Sequence, residues 1–380
     1  MAEIKKIAEQ YGEIEHYLNG LESDGFVTTL HKDGIAILIP GNQEGLILLP
    51  QNLHKLNNGE ILYDVSGLIY HEDYGITFGN YSEFFITISH PNYPWLNKES
   101  GWPADKPLKF KIEEVVGIVS SASCLLAMLT ESHFRNSDYH QNDFTWFSSI
   151  RLMGAAKGQA KDFFHKAVYY LNAHYLRPLK IYANLFGISA HFEDPLGLYD
   201  GTNTEAAFKR LTRHRLRKRS DFHSTEPLIL YNHACSASGT SRFLSFYRVL
   251  EFFFRRNILL GIEQYRKDLS YTAEDIFSLA TSRNESDQLS QLFKSILTQS
   301  QKTKLAEYAN RHGLIKGGTV NDLCKGLYSF RNSIVHAKEQ ELNTTNLPDP
   351  FVIDEQLDRW IYIARECADS AIKRLNSKKS

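Results

Sequence analysis

SRFLSFYRVLEFFFRRNILLGIEQYRK, residues 241–267, is the stretch that decides the fold of the carboxy-terminal half of the chain. Its apolar side chains recur at intervals of three and four residues, as one face of an α-helix requires. That face is formed by Phe243, Phe246, Leu250 and Phe253. The spacing predicts one long helix whose apolar face belongs to a hydrophobic core.

Further helical periodicity follows this stretch as far as the end of the chain. We expect shorter helices at roughly 272–281, 286–311 and 319–338, and a last helix from about Pro350 to Leu375. The linkers between them are short, which is typical of an up-and-down helical bundle. The carboxy-terminal part is therefore predicted to be all-α.

The amino-terminal half has a different pattern. Residues 25–92 contain short alternating runs, among them FVTTL, IAILIP, GLILLP and SEFFITISH, separated by Gly, Asn and Asp. These runs predict an antiparallel sheet. The uncharged run from Val115 to Thr130 predicts buried structure, and AKDFFHKAVYYLNAHYL after Ala155 predicts a helix. The expected fold class is α+β, with an N-terminal β-rich domain followed by a C-terminal all-α helical bundle.

Length and composition suit two folded domains, because the chain has 380 residues, of which 42% are hydrophobic, and a formal net charge of -1. We expect a β-rich domain with flanking helices over residues 1–200, a basic connecting segment over 201–224 and the bundle over 225–380. The longest uncharged run is shorter than the roughly 20 apolar residues of a membrane span, and the amino terminus lacks the apolar core of a signal peptide. A cytoplasmic protein with no membrane partner is expected.

Several common chemistries lack their usual residues in this chain. There is no GxxxxGK[ST], HExxH or GxGxxG motif, which argues against nucleotide hydrolysis, zinc proteolysis and dinucleotide binding. The four cysteines are far apart and form no CxxC pair, so neither a zinc ribbon nor a disulfide scaffold is suggested. We expect no metal and no cofactor.

A short motif occurs twice, as FRNSDYH at 134–140 and as FRNSIVH at 330–336. An Arg and a His five positions apart form a weak motif, so the surrounding sequence has to distinguish the copies. The first copy, with His140, lies in a polar stretch that is typical of a loop. The second follows Thr319 and Asp322, a plausible N-terminal cap, and its apolar residues recur with helical spacing.

On that second helix, Arg331 and His336 point in different directions. The core stripe is predicted to contain Leu323, Leu327, Phe330 and Ile334. Asn332 and His336 fall on the opposite side, and Arg331 lies about 140° from His336 at about 100° per residue. A site that uses both side chains therefore needs a second surface. The alternative is that His336 is an ordinary surface histidine.

A basic segment, KRLTRHRLRKR at 209–219, precedes the predicted bundle. Clustered Arg and Lys neutralise the phosphates of nucleic acids without reading their sequence. A solvated linker helix is the alternative interpretation of this segment. The candidate RNA-binding residues are Lys209, Arg210, Arg213, Arg215, Arg217, Lys218 and Arg219.

The second motif copy and the long helix together resemble the HEPN superfamily, and more closely its bacterial branch in abortive-infection and related defence proteins. The resemblance covers about residues 225–376. It rests on RNSIVH at 331–336 and on YNHACSASGTSRFLSFYRVLEFFF at 231–254, which is similar to the first long helix of these domains. It implies a helical bundle that dimerises and cleaves RNA without a metal ion.

The resemblance also implies roles for individual residues. His336 would exchange a proton in the reaction, Arg331 would hold phosphoryl oxygens, and Asn332 would orient the phosphate or His336. Glu251, within YRVLE, would support the site from the first long helix. Its alternative role is a surface ion pair with its neighbours on the same helix, Arg248 and Arg255.

The resulting hypothesis is a regulated toxin or anti-phage abortive-infection effector that cleaves RNA, tRNA included, through attack of the ribose 2′-hydroxyl. We expect a homodimer formed by the HEPN-like domain. The β-rich domain would be a sensor or regulatory domain that binds a phage-derived or cellular trigger. A different class of function remains open, namely a non-catalytic HEPN scaffold that binds RNA or protein. A further alternative is a ligand-binding sensor in the β-rich region, whose helical part only dimerises.

Overall fold

The structure, a computed structural model, describes most of two separate parts of the chain. The described residues are 2–32, 34–39, 45–60, 62, 65–71, 75–89, 107–134, 148–175, 180–182, 222–237, 239–267, 272, 274, 285–335 and 355–376. Those up to Tyr182 belong to one compact unit and those from Phe222 onward to another. The first unit contains β-sheets and the second is helical, which confirms the predicted α+β fold class.

The first unit combines five helices with ten strands in its described part. Its helices are α1 (Ala2–Ala8), α2 (Glu15–Gly20), α3 (Pro50–Asn57), α4 (Cys124–Phe134) and α5 (Ala160–Tyr170). Its strands are β1 (Val27–His31), β2 (Gly34–Leu38), β3 (Gly45–Leu48), β4 (Ile69–Tyr70), β5 (Gly75–Phe78), β6 (Tyr81–Ser89), β7 (Leu108–Ile112), β8 (Val115–Ser121), β9 (Ser148–Met153) and β10 (Lys180–Tyr182). A 3₁₀ turn at Lys157–Gln159 precedes α5, and a π-helical turn at Leu171–Tyr175 follows it.

All described strand pairs are antiparallel. Strands β1, β2 and β3 form a three-stranded sheet in that order. The larger sheet has the order β4-β5-β6-β9-β8-β7, and β10 also pairs with β6. Strands β6 and β9 are the centre of this sheet, and their register sets Glu83 opposite Arg151.

Both faces of the central strand β6 are buried, because helices cover the sheet on each side. Tyr81 and Phe85 point toward α4 and share a core with its leucines. Phe84 points to the other face, where its ring lies 4.4 Å from that of Phe164 on α5. Alternate residues of one strand thus enter two different hydrophobic layers.

The predicted sheet over residues 25–92 is confirmed for β1, β2, β3 and β6, although α3 interrupts it. The uncharged run from Val115 to Thr130, predicted to be buried, consists of strand β8 followed by the start of α4, and most of it is buried, with Val116 exposed. The sheet also continues beyond the predicted region, since β7, β8 and β9 extend it to Met153. The first copy of the twin motif, from Arg135 to His140, lies outside the described residues.

The second unit is helical throughout its described part. Its helices are α6 (Glu226–Ser236), α7 (Gly239–Lys267), α8 (Glu285–Ile296), α9 (Gln299–Arg311), α10 (Val320–Val335) and α11 (Glu355–Ala371), the last continued by a π-helical turn at Ile372–Asn376. The predicted long helix is α7. Its four predicted core residues, Phe243, Phe246, Leu250 and Phe253, are completely buried, so this prediction is confirmed.

The prediction of a single helix over 286–311 is wrong, because two helices occupy this range. Thr298 separates α8 from α9 in an extended conformation, and its hydroxyl accepts a hydrogen bond from the backbone N–H of Gln301 at 3.2 Å. The Gln301 side chain accepts one in return from the backbone N–H of Thr298 at 2.9 Å. This capping box begins a new helix where the apolar spacing alone suggested continuity.

The residues just before α6 form hydrogen bonds with Asn376, in the last described turn of the helical unit. The backbone N–H of Ser224 donates to the side chain of Asn376 at 3.1 Å, and the Asn376 amide donates to the Ser224 carbonyl at 2.7 Å. His223 donates to the Asn376 carbonyl at 2.8 Å. The end of the predicted connecting segment therefore contacts the bundle directly.

Among the described residues, no helix has both the length and the apolar character needed to cross a lipid bilayer.

Candidate functional site

Helix α10 carries the second motif copy, and its start is well defined. The Thr319 hydroxyl donates to the Asp322 carboxylate at 2.6 Å and accepts from the Asp322 backbone N–H at 3.2 Å. The expected cap is thus present. Of the predicted core stripe, Leu323, Leu327 and Phe330 are buried, whereas Ile334 is only half-buried near the end of the helix.

Phe330 anchors α10 against two other helices. Its ring packs edge-on against Phe243 of α7 at 5.0 Å between centroids and is stacked on Trp360 of α11 at 5.6 Å. Aromatic pairs of this kind contribute about 0.5–1.5 kcal/mol beyond the area that they bury. Because Phe330 is fixed from both sides, the position of the next residue, Arg331, is fixed as well.

Arg331 is the centre of a polar cluster that joins three helices. Its Nη2 donates to Glu251 Oε1 on α7 at 3.1 Å, and its Nη1 donates to Asn332 Oδ1 at 3.1 Å. Its Nε lies 3.7 Å from Glu285 Oε1, at the start of α8. The guanidinium carbon lies 5.8 Å from the centre of the Tyr247 ring on α7. We call these five residues the Arg331 cluster.

The cluster lies at the edge of the bundle, and it is neither fully buried nor fully exposed. The side chain of Arg331 is 22% exposed, that of Glu251 34% and that of Glu285 25%, whereas Tyr247 is only 1% exposed. The Arg331 side chain therefore keeps part of its contact with solvent. Two of its five N–H groups make hydrogen bonds to described residues, namely Glu251 and Asn332.

Burial changes the titration of the acidic groups in the cluster. Burial raises the pKa of Glu251, the Arg331 guanidinium acts against this rise, and the neighbouring Glu285 carboxylate adds to it. Burial also raises the pKa of Tyr247, and the nearby carboxylates of Glu285 and Glu251 raise it further. The Tyr247 hydroxyl therefore stays protonated across the physiological range.

Three of the four predicted catalytic residues come together, namely Arg331, Asn332 and Glu251. The alternative role of Glu251, a surface ion pair with Arg248 and Arg255 of its own helix, does not account for the hydrogen bond that it accepts from α10. The fourth residue, His336, directly follows α10 and lies outside the described residues. The seven basic residues between Lys209 and Arg219 also lie outside them, so their RNA-binding role stays a prediction.

Two members of the cluster were not predicted from the sequence. Tyr247 lies one helical turn before Glu251, so the i, i+4 rule could have placed it on the same face of α7. Glu285 is on another helix, and its sequence neighbourhood carries no motif that points to Arg331. Its membership follows from the three-dimensional arrangement alone.

A second buried polar network lies in the β-rich unit. Like Glu285, its residues belong to no recognisable sequence motif. Glu83 of β6 is completely buried. Its carboxylate accepts hydrogen bonds from Ser149 Oγ and from Tyr81 Oη at 2.6 Å each, and from the backbone N–H of Ser123 at 2.9 Å, and also from the Ser123 hydroxyl. Arg151 Nε lies 3.4 Å from it. This network joins β6, β9 and the start of α4, and its burial favours a structural role.

Among the described residues, no group of three or more His, Cys, Asp or Glu side chains is arranged to hold a metal ion.

Comparison of the chain with protein-family models, with curated proteins and with solved structures finds no match. The resemblance to the HEPN superfamily therefore stays a prediction from the sequence.

Proposed function

We propose that the helical unit is a metal-independent endoribonuclease of the HEPN type. One observation carries the proposal, which is the hydrogen bond of 3.1 Å between Arg331 and Glu251. It connects α7 and α10, the two helices that hold the two sequence segments of the resemblance. A chance pair of motif matches would have no reason to place its two polar residues in direct contact.

The proposed reaction uses the groups of the cluster together with His336. A histidine accepts the proton of the ribose 2′-hydroxyl, and the 2′-oxygen attacks the adjacent phosphorus. The bond from phosphorus to the 5′-oxygen breaks, and that oxygen takes up a proton. The products are a 2′,3′-cyclic phosphate end and a 5′-hydroxyl end. Arg331 would stabilise the charge that develops on the phosphoryl oxygens, while Asn332 orients the phosphate or His336.

A homodimer is part of the proposal, because Arg331 and His336 are separated by about 140° around a helix at about 100° per residue. A second copy of the chain would supply the surface that completes the site. Val335, at the end of α10, is 47% exposed, and Tyr328 on the same helix is half-buried. Apolar groups on an outer helix face are typical of a self-association surface.

The proposed biological role is that of a regulated toxin or an anti-phage abortive-infection effector. A nuclease that acts on the RNA of its own cell, tRNA included, requires restraint. The β-rich unit is the candidate for binding the trigger that releases it.

A second candidate function is a non-catalytic HEPN scaffold that binds RNA or protein. The observation in its favour is that Arg331 already contacts two carboxylates, Glu251 and Glu285, which compete with any phosphate for the guanidinium. In that case the cluster would hold the helices together and would have no catalytic task.

The test is incubation of the purified chain with total RNA in the presence of EDTA, together with expression of the same variants in cells. The purified wild-type chain should produce ends with 2′,3′-cyclic phosphates. If the purified chain is restrained and leaves the RNA intact, its expression in cells should still be toxic. Arg331→Ala and His336→Ala should remove both effects without loss of helical circular dichroism. His140→Ala is the matched control from the twin motif and should change neither.

The opposite result, activity lost with His140→Ala and retained with His336→Ala, would overturn the assignment. The dimer is tested separately by light scattering coupled to size-exclusion chromatography. A monomer with full ribonuclease activity would rule out the shared site.

A further inference from the structure

We propose that Glu285 is a positioning residue of the site, which holds the Nε edge of Arg331 and weakens the attraction of the guanidinium for phosphate. This inference depends on the proposed function in one respect, since it takes a phosphate as the ligand of Arg331. No sequence motif includes Glu285, and its role follows from the geometry of the Arg331 cluster.

Glu285 and Glu251 hold different edges of the guanidinium. Glu251 accepts a hydrogen bond from Nη2 at 3.1 Å, whereas Glu285 lies 3.7 Å from Nε, which is beyond hydrogen-bond distance. Glu285 Oε1 is a buried atom that makes no hydrogen bond within the described part of the chain. The Glu285 carboxylate also interacts with Tyr247 and Glu251. Its contact with Arg331 is an ion pair without a hydrogen bond, and the contact of Glu251 with Arg331 is the closer one.

The two carboxylates also differ in how firmly the backbone holds them. Glu251 lies near the middle of α7, a helix of 29 residues. Glu285 is the first residue of α8, which has 12 residues. Helix ends open locally at a lower free-energy cost than helix centres.

The charges of the cluster explain why Glu285 should weaken phosphate binding. With both carboxylates ionised, two negative charges face the single positive charge of Arg331, and the sum is negative. A phosphate that approaches such a cluster is repelled unless one carboxylate is neutral or has moved away. Tyr247 cannot supply a positive charge, and its buried hydroxyl lies near the Glu285 carboxylate, which raises the pKa of Tyr247.

The deciding measurement is the affinity for a 2′-O-methyl oligonucleotide, which keeps the phosphates of RNA and lacks the attacking hydroxyl. Glu285→Gln keeps the shape of the side chain and removes its charge, so it should bind this probe about tenfold more tightly, which corresponds to about 1.4 kcal/mol. Glu285→Asp keeps the charge and should stay within about threefold of the wild-type affinity. Glu307→Gln, an equal charge change at an exposed position of α9, is the control.

A second readout separates positioning from a general effect of charge. The Nε–H signal of Arg331, assigned by its loss in Arg331→Lys, should shift in the NMR spectrum of Glu285→Gln and stay unchanged in Glu307→Gln. On active protein, Glu285→Gln should lower KM by about tenfold and leave kcat within about threefold.

The outcomes distinguish this inference from the proposed function. Tighter binding by Glu285→Gln in a chain without any ribonuclease activity would support the role of Glu285 and contradict the enzyme. Equal affinities of Glu285→Gln and Glu307→Gln in an active enzyme would overturn the role of Glu285 alone. Unchanged affinity in Arg331→Ala would show that Arg331 binds no phosphate, and it would overturn the inference.

Discussion

The contact between Arg331 and Glu251 should be measurable as a coupling free energy. The perturbation is a double-mutant cycle of Arg331→Ala, Glu251→Ala and the double variant. Fully exposed ion pairs contribute about 0–1 kcal/mol, and breaking a buried pair costs about 3–5 kcal/mol. The two side chains are 22% and 34% exposed, so the pair lies between these limits. We expect a coupling of about 1–2 kcal/mol, discounted from the buried value for the partial contact with solvent.

The two single variants should not be equivalent. Glu251→Ala leaves Arg331 with Glu285 as a partner, whereas Arg331→Ala leaves two half-buried carboxylates without the guanidinium. Burial already raises the pKa of Glu251 above its unfolded value, and loss of Arg331 should raise it further. The stability that goes with such a raised pKa is present below the unfolded pKa and is lost as the pH rises through the folded pKa. Arg331→Ala should therefore lose stability as the pH rises above about 4.5, to a greater degree than Glu251→Ala.

The assay is urea unfolding of the full chain followed by the fluorescence of Trp360. This residue is buried in the helical unit, and a chain with Trp95, Trp102 and Trp146 replaced by Phe reports on that unit alone. A single probe is needed because a chain of two units need not unfold in one step. Glu307→Ala, at an exposed position, is the control and should change stability by less than about 0.5 kcal/mol. A coupling below about 0.3 kcal/mol would refute the reasoning, because a pair without coupling positions nothing.

Four further predictions concern other parts of the chain. Replacing Arg213, Arg215, Arg217 and Arg219 by Gln should flatten the plot of log RNA affinity against log salt by roughly 0.7 per lost phosphate contact, and an unchanged slope would make the segment a linker. Thr298→Ala should lower the stability of the helical unit by about 1 kcal/mol in the same urea assay, since it removes the cap of α9. Glu83→Ala should lower the stability of the β-rich unit by about 3–5 kcal/mol, because it removes the Glu83 carboxylate from the largely buried Arg151. Unfolding followed by circular dichroism checks this prediction. Burial and the nearby Lys161 lower the pKa of His71 to about 4. The stability linked to His71 should therefore be present above about pH 6.5 and lost as the pH falls through 4. An NMR titration of the imidazole would show this.

Much of the fold was predictable because burial on one face leaves a period in the sequence. Phe243, Phe246, Leu250 and Phe253 show the helical period and are all completely buried. The same reasoning overestimated the burial of Ile334, which has the right angle but is only half-buried near the end of α10. The same reasoning also predicted one helix in place of α8 and α9, because the spacing of apolar residues does not indicate a helix cap such as Thr298.

Strand β6 shows where periodicity stops being informative. Alternation identifies a strand when one face meets water, and here both faces meet helices, so Phe84 and Phe85 are both buried. A fully buried Glu83 within such a strand cannot be foreseen from its neighbours. Three of its four hydrogen bonds come from Ser123 and Ser149, which are 40 and 66 positions away in the chain.

The candidate site was predictable only in part, for a related reason. The resemblance supplied Arg331, Asn332 and Glu251, because each lies in a segment with a recognisable sequence. Glu285 has no such segment, and its contact with Arg331 is a consequence of how α8 packs beside α7 and α10. Contacts that are set by packing leave no pattern along the chain.

The two carboxylates hold Arg331 unequally, and this difference suggests how the proposed nuclease could be restrained. Glu251 lies within a long helix and accepts a hydrogen bond from Nη2, so it orients the guanidinium. Glu285 lies 3.7 Å from Nε at a helix end, and because a Coulomb attraction falls as 1/r, about twice that separation would be needed to halve it. A bound phosphate would then replace Glu285 as the second negative charge beside Arg331. RNA binding and the contact with Glu285 are therefore expected to exclude each other, and any event that moves the start of α8 would favour RNA.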